Sequence, residues 1–247
     1  MNNTKFLLLG TSLSLIPNIT YAQCAVTDCQ QLGYTSLQKC DNGLKCPFGE
    51  YWACPKVEEK AVLGECTGYA KNCKIGDILN SDGTCTTNKV SGKTPIGVVV
   101  YIGDDNCGQA MAMQDLGNMR WSNEEIDIPN LTNYDSNSNA AKDFNSCSNT
   151  QKIIKAGDAN QYPAAWAAVN YAPNEAPATK GKWCLPAAGV ALAMNEHYDK
   201  VNSGLITGNW KHTSSEFDNA QTWRWNEIGL QLTLKLWDFA VHPVITF

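Results

Sequence analysis

An α+β domain behind a small disulfide-rich module is the fold class this sequence predicts, and three observations predict it. Eight of the 11 cysteines (Cys24, Cys29, Cys40, Cys46, Cys54, Cys66, Cys73 and Cys85) fall before residue 90, and only Cys107, Cys147 and Cys184 follow. A β-branched run at 96–102 and a strict leucine alternation at 230–236 have the signature of strands. Between them lie segments that open on proline or serine and close on glycine, as short helices do.

Taken in order, residues 1–22 read as a secretory signal peptide. They carry a single charge at Lys5, an apolar stretch from Phe6 to Ile16, and the small residue Ala22 at the expected cleavage point. The mature chain is expected to start at Gln23. Gly10, Thr11, Ser12, Ser14 and Pro17 interrupt the apolar stretch, which falls short of the ~20 residues a membrane span needs. A lipid anchor on Cys24 is disfavoured by Gln23 before it. Loss of the leader takes the net charge from −5 to −6. A mildly acidic chain has no basic face for phosphates, so nucleic acid is excluded as a partner, and no membrane insertion is expected after cleavage.

Residues 23–90 are rich in Cys, Gly, Asp, Asn and Lys and show no sustained apolar period. Such a segment cannot fold on burial alone, and disulfides worth roughly 2–4 kcal/mol each would supply the constraint. Zinc is the rival, but the cysteine spacings lack the tight C-x2-C pairs of structural zinc sites. The segment is expected to act as a stiff spacer, with residues 91–247 as the second domain.

That domain opens with the strand 96–102, a turn at Asp104 to Gly108 and a return strand through Gln109 to Met113. The Asn-, Asp- and Ser-rich stretch from Trp121 to Asn145 reads as loop. Ser148 caps a short helix through Ile154 that Gly157 ends, and Pro163 starts another to Tyr171. Past Pro186, Val190, Met194 and Val201 recur near helical spacing until Gly204. Thr222 to Asn226 pairs through a turn at Gly229 with the strand 230–236, where Leu230, Leu232, Leu234 and Leu236 share a buried face opposite Gln231, Thr233 and Lys235. Val241 to Phe247 supplies the last strand.

Four phrases occur in order: Lys93-Thr94-Pro95-Ile96-Gly97-Val98-Val99, Trp183-Cys184-Leu185-Pro186-Ala187-Ala188-Gly189, Ser214-Ser215-Glu216 and Val241-His242-Pro243-Val244. Together they resemble the C-type-lectin-like domains of exported bacterial proteins, whose members read W-x-L-P, then W-S-S-S-E, then V-R-P-V. The resemblance extends to the variable proteins of diversity-generating retroelements, which keep the scaffold and rewrite a binding face. It implies an adhesin-like or receptor-like protein at the cell surface, whose ligand is a protein or glycan on a cell or phage. His212-Thr213 stands where the pattern has Trp-Ser, and His242 where it has Arg, which removes the cation the pattern would place beside Glu216.

The binding residues follow from position. Asp218, Asn219, Gln221, Arg224, Trp237, Asp238 and Phe239 lie between Glu216, Trp223 and His242, so they can vary without disturbing the scaffold, and they mix aromatic with short polar groups. Trp183 and Trp223 are expected in the core and Trp237 outside. No cofactor is implied. Calcium is disfavoured because Asp104-Asp105-Asn106 reads as a turn and no Glu precedes Pro129. Catalysis is disfavoured because neither H-E-x-x-H nor G-x-S-x-G occurs. Formylglycine-generating enzymes share the lectin-like fold and work through cysteine, but Cys184 sits in a structural phrase, with Cys107 or Cys147 as its disulfide partner. The alternative function is a structural module of a surface or pilus-like assembly.

Overall fold

The computed structural model describes residues 21–25, 51–55, 60–197 and 208–247. The chain divides into two compact units, Met1–Glu59 and Lys60–Phe247. In the first, β1 (Tyr21–Ala25) pairs antiparallel with β2 (Tyr51–Pro55), Cys24 facing Trp52 and Cys54 facing Ala22. Residues 1–20 of the expected leader, and Cys29, Cys40 and Cys46, lie outside the described residues.

The second unit is α+β. A six-stranded sheet has the order β4-β3-β5-β6-β13-β8, built from β3 (Ile78–Asn80), β4 (Cys85–Thr86), β5 (Pro95–Ile102), β6 (Gly108–Ala112), β8 (Trp183–Cys184) and β13 (Val244–Thr246). A five-stranded sheet has the order β11-β10-β9-β12-β7, from β7 (Asn118–Arg120), β9 (Lys211–Glu216), β10 (Gln221–Asn226), β11 (Gly229–Leu234) and β12 (Asp238–Ala240). The helices are α1 (Asn137–Ala140), α2 (Ser146–Ala156), α3 (Pro163–Asn170) and α4 (Ala188–Glu196).

The sequence-based boundary at residue 90 falls inside this unit. β3 pairs with β5, setting Ile78 against Val98 and Leu79 against Gly97, and the buried Leu79 packs with Ile96, Val99, Trp183 and Phe247. A disulfide joins Cys66 to Cys107 across the expected boundary, and a second joins Cys73 to Cys85. The three residues of β3 thus bind the segment to the sheet, a signal too short to stand out among the surrounding Gly, Asp and Lys. Cys184 takes Cys147 of α2 as its partner, so all six cysteines of the unit are paired.

β5 reads as an unbroken apolar run because both its faces are covered: Val98 and Val100 enter one core cluster, Ile96 and Val99 another. The Leu-Pro-Ala-Ala-Gly phrase brings α4 against the sheets, where Ala188, Val190, Ala191 and Met194 pack on Trp223, Trp225 and Leu230. Gly189 is required there, since a Cβ on it would stand 2.6 Å from the Asp143 carbonyl oxygen that accepts its N–H. α2 starts at Ser146, two residues before the expected cap, and α4 ends at Glu196. Val201 and Gly204 lie outside the described residues.

The leucine strand is corrected. Leu230 is buried and Gln231 exposed as expected, but Leu232, Leu234 and Leu236 are only half-buried, while Thr233 and Lys235 on the supposed solvent face are buried. The period-2 reading assumed one covered face. In the structure the segment 121–128 covers the other: the N–H groups of Trp121 and Ser122 donate to the Lys235 carbonyl, and Lys235 Nζ donates to the Ile126 carbonyl.

Candidate functional site

The motif residues build a polar interior beneath the five-stranded sheet. Every residue of β9 is buried. Ser215 Oγ donates to Asp143 Oδ2 at 2.6 Å and accepts the Ala188 N–H at 2.9 Å, tying β9 to the start of α4. Asn149 Nδ2 donates to the same Asp143 oxygen at 2.7 Å. Glu216 and Lys235 form a fully buried ion pair, with Lys235 Nζ 4.9 Å from the Trp121 ring centroid. The Glu216 carboxylate also accepts the Ile128 N–H, at 3.3 Å to each oxygen. Burial pushes Glu216 up to about 7 and lowers Lys235, each opposed by the partner's charge. Lys235 therefore supplies the cation that the resemblance would place at position 242. His242 instead shares a hydrogen bond with the Ala112 carbonyl, 2.8 Å from Nε2.

The outer side of the same sheet holds a different arrangement. Arg224 on β10 lies opposite Gln231 on β11 and His212 on β9. Its guanidinium is 4.3 Å from the Trp210 ring centroid and 4.7 Å from that of Phe239, so two aromatic rings hold it. Phe239 meets the buried His212 edge-on at 5.4 Å, and His212 Nε2 lies 2.8 Å from the Met119 carbonyl oxygen. Burial lowers His212 to about 4, outweighing the Met119 hydrogen bond and the Asp238 charge. Of the guanidinium's donors, Nη2 reaches Gln231 Oε1 at 3.3 Å, and the buried Nε has no hydrogen-bond partner. Among the described residues no carboxylate pairs with Arg224.

The seven expected binding residues are thus only partly brought together. Arg224 and Phe239 are in contact. Trp237, two residues before Phe239, is 53% exposed, Asp238 is exposed, and Trp183 and Trp223 are buried. Asp218 and Asn219 belong to the β9–β10 turn, and Gln221 opens β10 roughly 10 Å of strand from Arg224. Asp218 there is a turn former, its Oδ1 accepting the N–H groups of Ala220 at 2.8 Å and Gln221 at 2.7 Å. Trp210 and Gln231 complete the arginine clamp and were absent from the expected set. Gln231 was legible as the polar alternate of the leucine strand. Trp210 carried no signal beyond its aromatic type, because its partner is set by the pairing of β9 with β12.

Elsewhere, Cys66, Asp105 and Cys107 come within metal-ligating reach of one another, but the two sulfurs are joined as a disulfide. Asp105 Oδ1 accepts the Cys107 N–H at 2.9 Å, closing the turn in which Asn106 has a φ of 58°. A groove of about 390 Å³ lies between 61–83 and 175–182, lined by Leu63, Asp82, Pro177 and Lys182 among others. No helix among the described residues is long and apolar enough to cross a membrane.

Comparison with known proteins finds a likeness of fold. No protein-family model matches the chain, and no curated protein is significantly similar to it. Among solved structures the fold is similar to that of a fimbrial protein from Bacteroides ovatus ATCC 8483, with a TM-score of 0.52 and 13% sequence identity over 71% of this chain. The chain spans about half of that protein, 49% of its length. At this identity the likeness concerns the fold.

Proposed function

We propose that this protein is exported and that its Lys60–Phe247 unit serves as a module of a surface or fimbria-like assembly. The fold likeness to a fimbrial protein carries the reading. The three disulfides of the unit support it, since such bonds persist in oxidising compartments outside the cytoplasm. A module of this kind needs a rigid scaffold and a face that meets its neighbour. The paired cysteines and the buried Glu216–Lys235 and Asp143–Ser215 contacts stiffen the scaffold, and the outer side of the five-stranded sheet offers the face.

The test is to raise antibodies against the purified unit and shear intact cells of the source organism. The protein is expected in the sheared high-molecular-weight fraction and, by immunogold labelling, on surface structures. Recovery only as free monomer in the medium, or only inside the cells, would refute the proposal.

A second reading is an adhesin-like or receptor-like protein on a C-type-lectin-like scaffold, with a diversified face that binds a protein or glycan on a cell or phage surface. The exposure of Trp237 beside Asp238 favours it, because an exposed indole next to a short polar group is the kind of contact surface that ligand-binding faces use. Glycan-array binding that is lost in Trp237→Ala would establish this reading in place of the first.

A further inference from the structure

Lys211 on β9, Arg224 on β10 and Lys235 just after β11 are three cations held against aromatic rings, and they are satisfied differently. Lys235 has Glu216, and Lys211 Nζ donates to the Asn209 carbonyl at 2.9 Å with the Trp225 centroid at 5.2 Å. Arg224 has two rings, one long hydrogen bond to a neutral amide and no acid among the described residues. Asp238, one residue before Phe239, acts on His212 but forms no ion pair with Arg224. Contact with two rings restrains a guanidinium while leaving its outer N–H donors open, and these form the fork that a carboxylate accepts in bidentate fashion. A ring clamp also removes most of the rotamer entropy that an arginine otherwise loses on binding.

We infer that Arg224, held against Trp210 and Phe239, is a carboxylate-binding site, and that its occupant is an acidic side chain of a second copy of this chain. The second half rests on the module reading. Charge complementarity selects the occupant: the chain carries 24 acidic against 19 basic residues, so a copy of itself presents excess carboxylate to this cation. The contact is heterologous, a cationic clamp on one copy against acid elsewhere on the next, and such contacts propagate into chains of subunits and do not close as two-fold pairs.

The experiment is sedimentation velocity on the purified chain across a concentration series, with Arg224→Ala, Arg224→Lys and wild type run in parallel, and glutarate and glucuronate as competitors. Wild type is expected to associate reversibly, less so at high salt and in the presence of glutarate. Arg224→Ala should weaken association by roughly tenfold or more, and Arg224→Lys should not restore it, because lysine keeps the charge and loses the fork. Thermal melts of the variants confirm that they are folded.

The outcomes separate the two claims. If wild type associates and Arg224→Ala associates equally, the carboxylate site is wrong and the module reading survives. Suppose wild type stays monomeric while its indole fluorescence responds to glutarate and that response is lost in Arg224→Ala. The carboxylate site then stands, and the occupant and the module reading fall. A response to glucuronate far stronger than to glutarate would transfer the site to an acidic glycan and overturn the second-copy assignment. No association and no response to either acid would overturn the proposal as a whole.

Discussion

Arg224 on β10 and Lys235 in the turn just after β11 both lie against aromatic rings, and differ in what balances their charge. Lys235 is fully buried with Glu216, and its carbonyl and ammonium both tie down the segment 121–128. Arg224 is only partly covered, is held by Trp210 and Phe239, and pairs with no acid among the described residues. A cation out of water needs an opposite charge or strong hydrogen-bond acceptors, since its desolvation costs several kcal/mol that ring contact alone does not return. A cation at the surface keeps part of its hydration and can leave its donors open. One arrangement belongs to the scaffold, and the other is available to a partner.

The largest effect should come from breaking the buried pair. Lys235→Ala leaves the Glu216 carboxylate in the interior without its cation and frees the Ile126 carbonyl, and should cost about 3–5 kcal/mol in denaturant unfolding of the unit. Replacing both partners, Glu216→Leu with Lys235→Met, should recover most of that loss, because the pair's desolvation is removed along with its attraction. A double variant as unstable as the single one would mean that the pair contributes net stability, and that the contrast with Arg224 is smaller than drawn.

The next effect depends on pH and falls on the layer beneath the clamp. Burial lowers both His212 and His242 to about 4 from the usual 6.5, and the buried Nδ1 of each has no hydrogen-bond partner. Below pH 6.5 the unfolded chain takes up protons that the folded one refuses. Their contribution is therefore whole above that pH and is lost as pH falls from 6.5 toward 4, by up to about 3 kcal/mol for each histidine. Glu216 has the opposite sign: raised to about 7, it favours the folded state as pH falls from 7 toward 4.5. Two groups outweigh one, so stability should drop on acidification. His212→Asn should reduce the slope between pH 6.5 and 4 by up to about 1.4 kcal/mol per pH unit. An unchanged slope in that variant would show that His212 is not the group responsible.

How much of this was legible in the sequence depends on where each signal resides. The β5–β6 hairpin and the helix from Pro163 follow from local chemistry, the burial of Trp183 and Trp223 from their place in the shared phrases and the exposure of Trp237 from its place between strands, and the structure has them. The leucine strand misled because alternation reports a strand and cannot say whether its second face is covered. Here a lysine, the residue least expected inside, is buried by a partner 19 positions away. The domain boundary misled for a related reason: cysteine density describes composition, whereas the Cys66–Cys107 bond and the three-residue match of β3 to β5 are facts of tertiary pairing. The candidate site was half legible. Arg224 and Phe239 were chosen by position, but Trp210 joins them only through the sheet order, in which β12 returns beside β9.

On the open side of the comparison the effects on stability should be small, whatever happens to binding. Exposed cation–π contacts are worth about 0.5–1 kcal/mol each. Arg224→Ala also deletes a buried Nε that has no partner, which offsets part of the loss, so the unfolding free energy should change by no more than about 1 kcal/mol. Trp237→Ala should change it least, within about 0.5 kcal/mol, since a side chain that is 53% exposed gives up little packing. Urea titration of both variants beside Lys235→Ala checks the ranking. A loss in Arg224→Ala as large as that in Lys235→Ala would make the clamp part of the scaffold, and the reason for treating Arg224 as available to a partner would be gone.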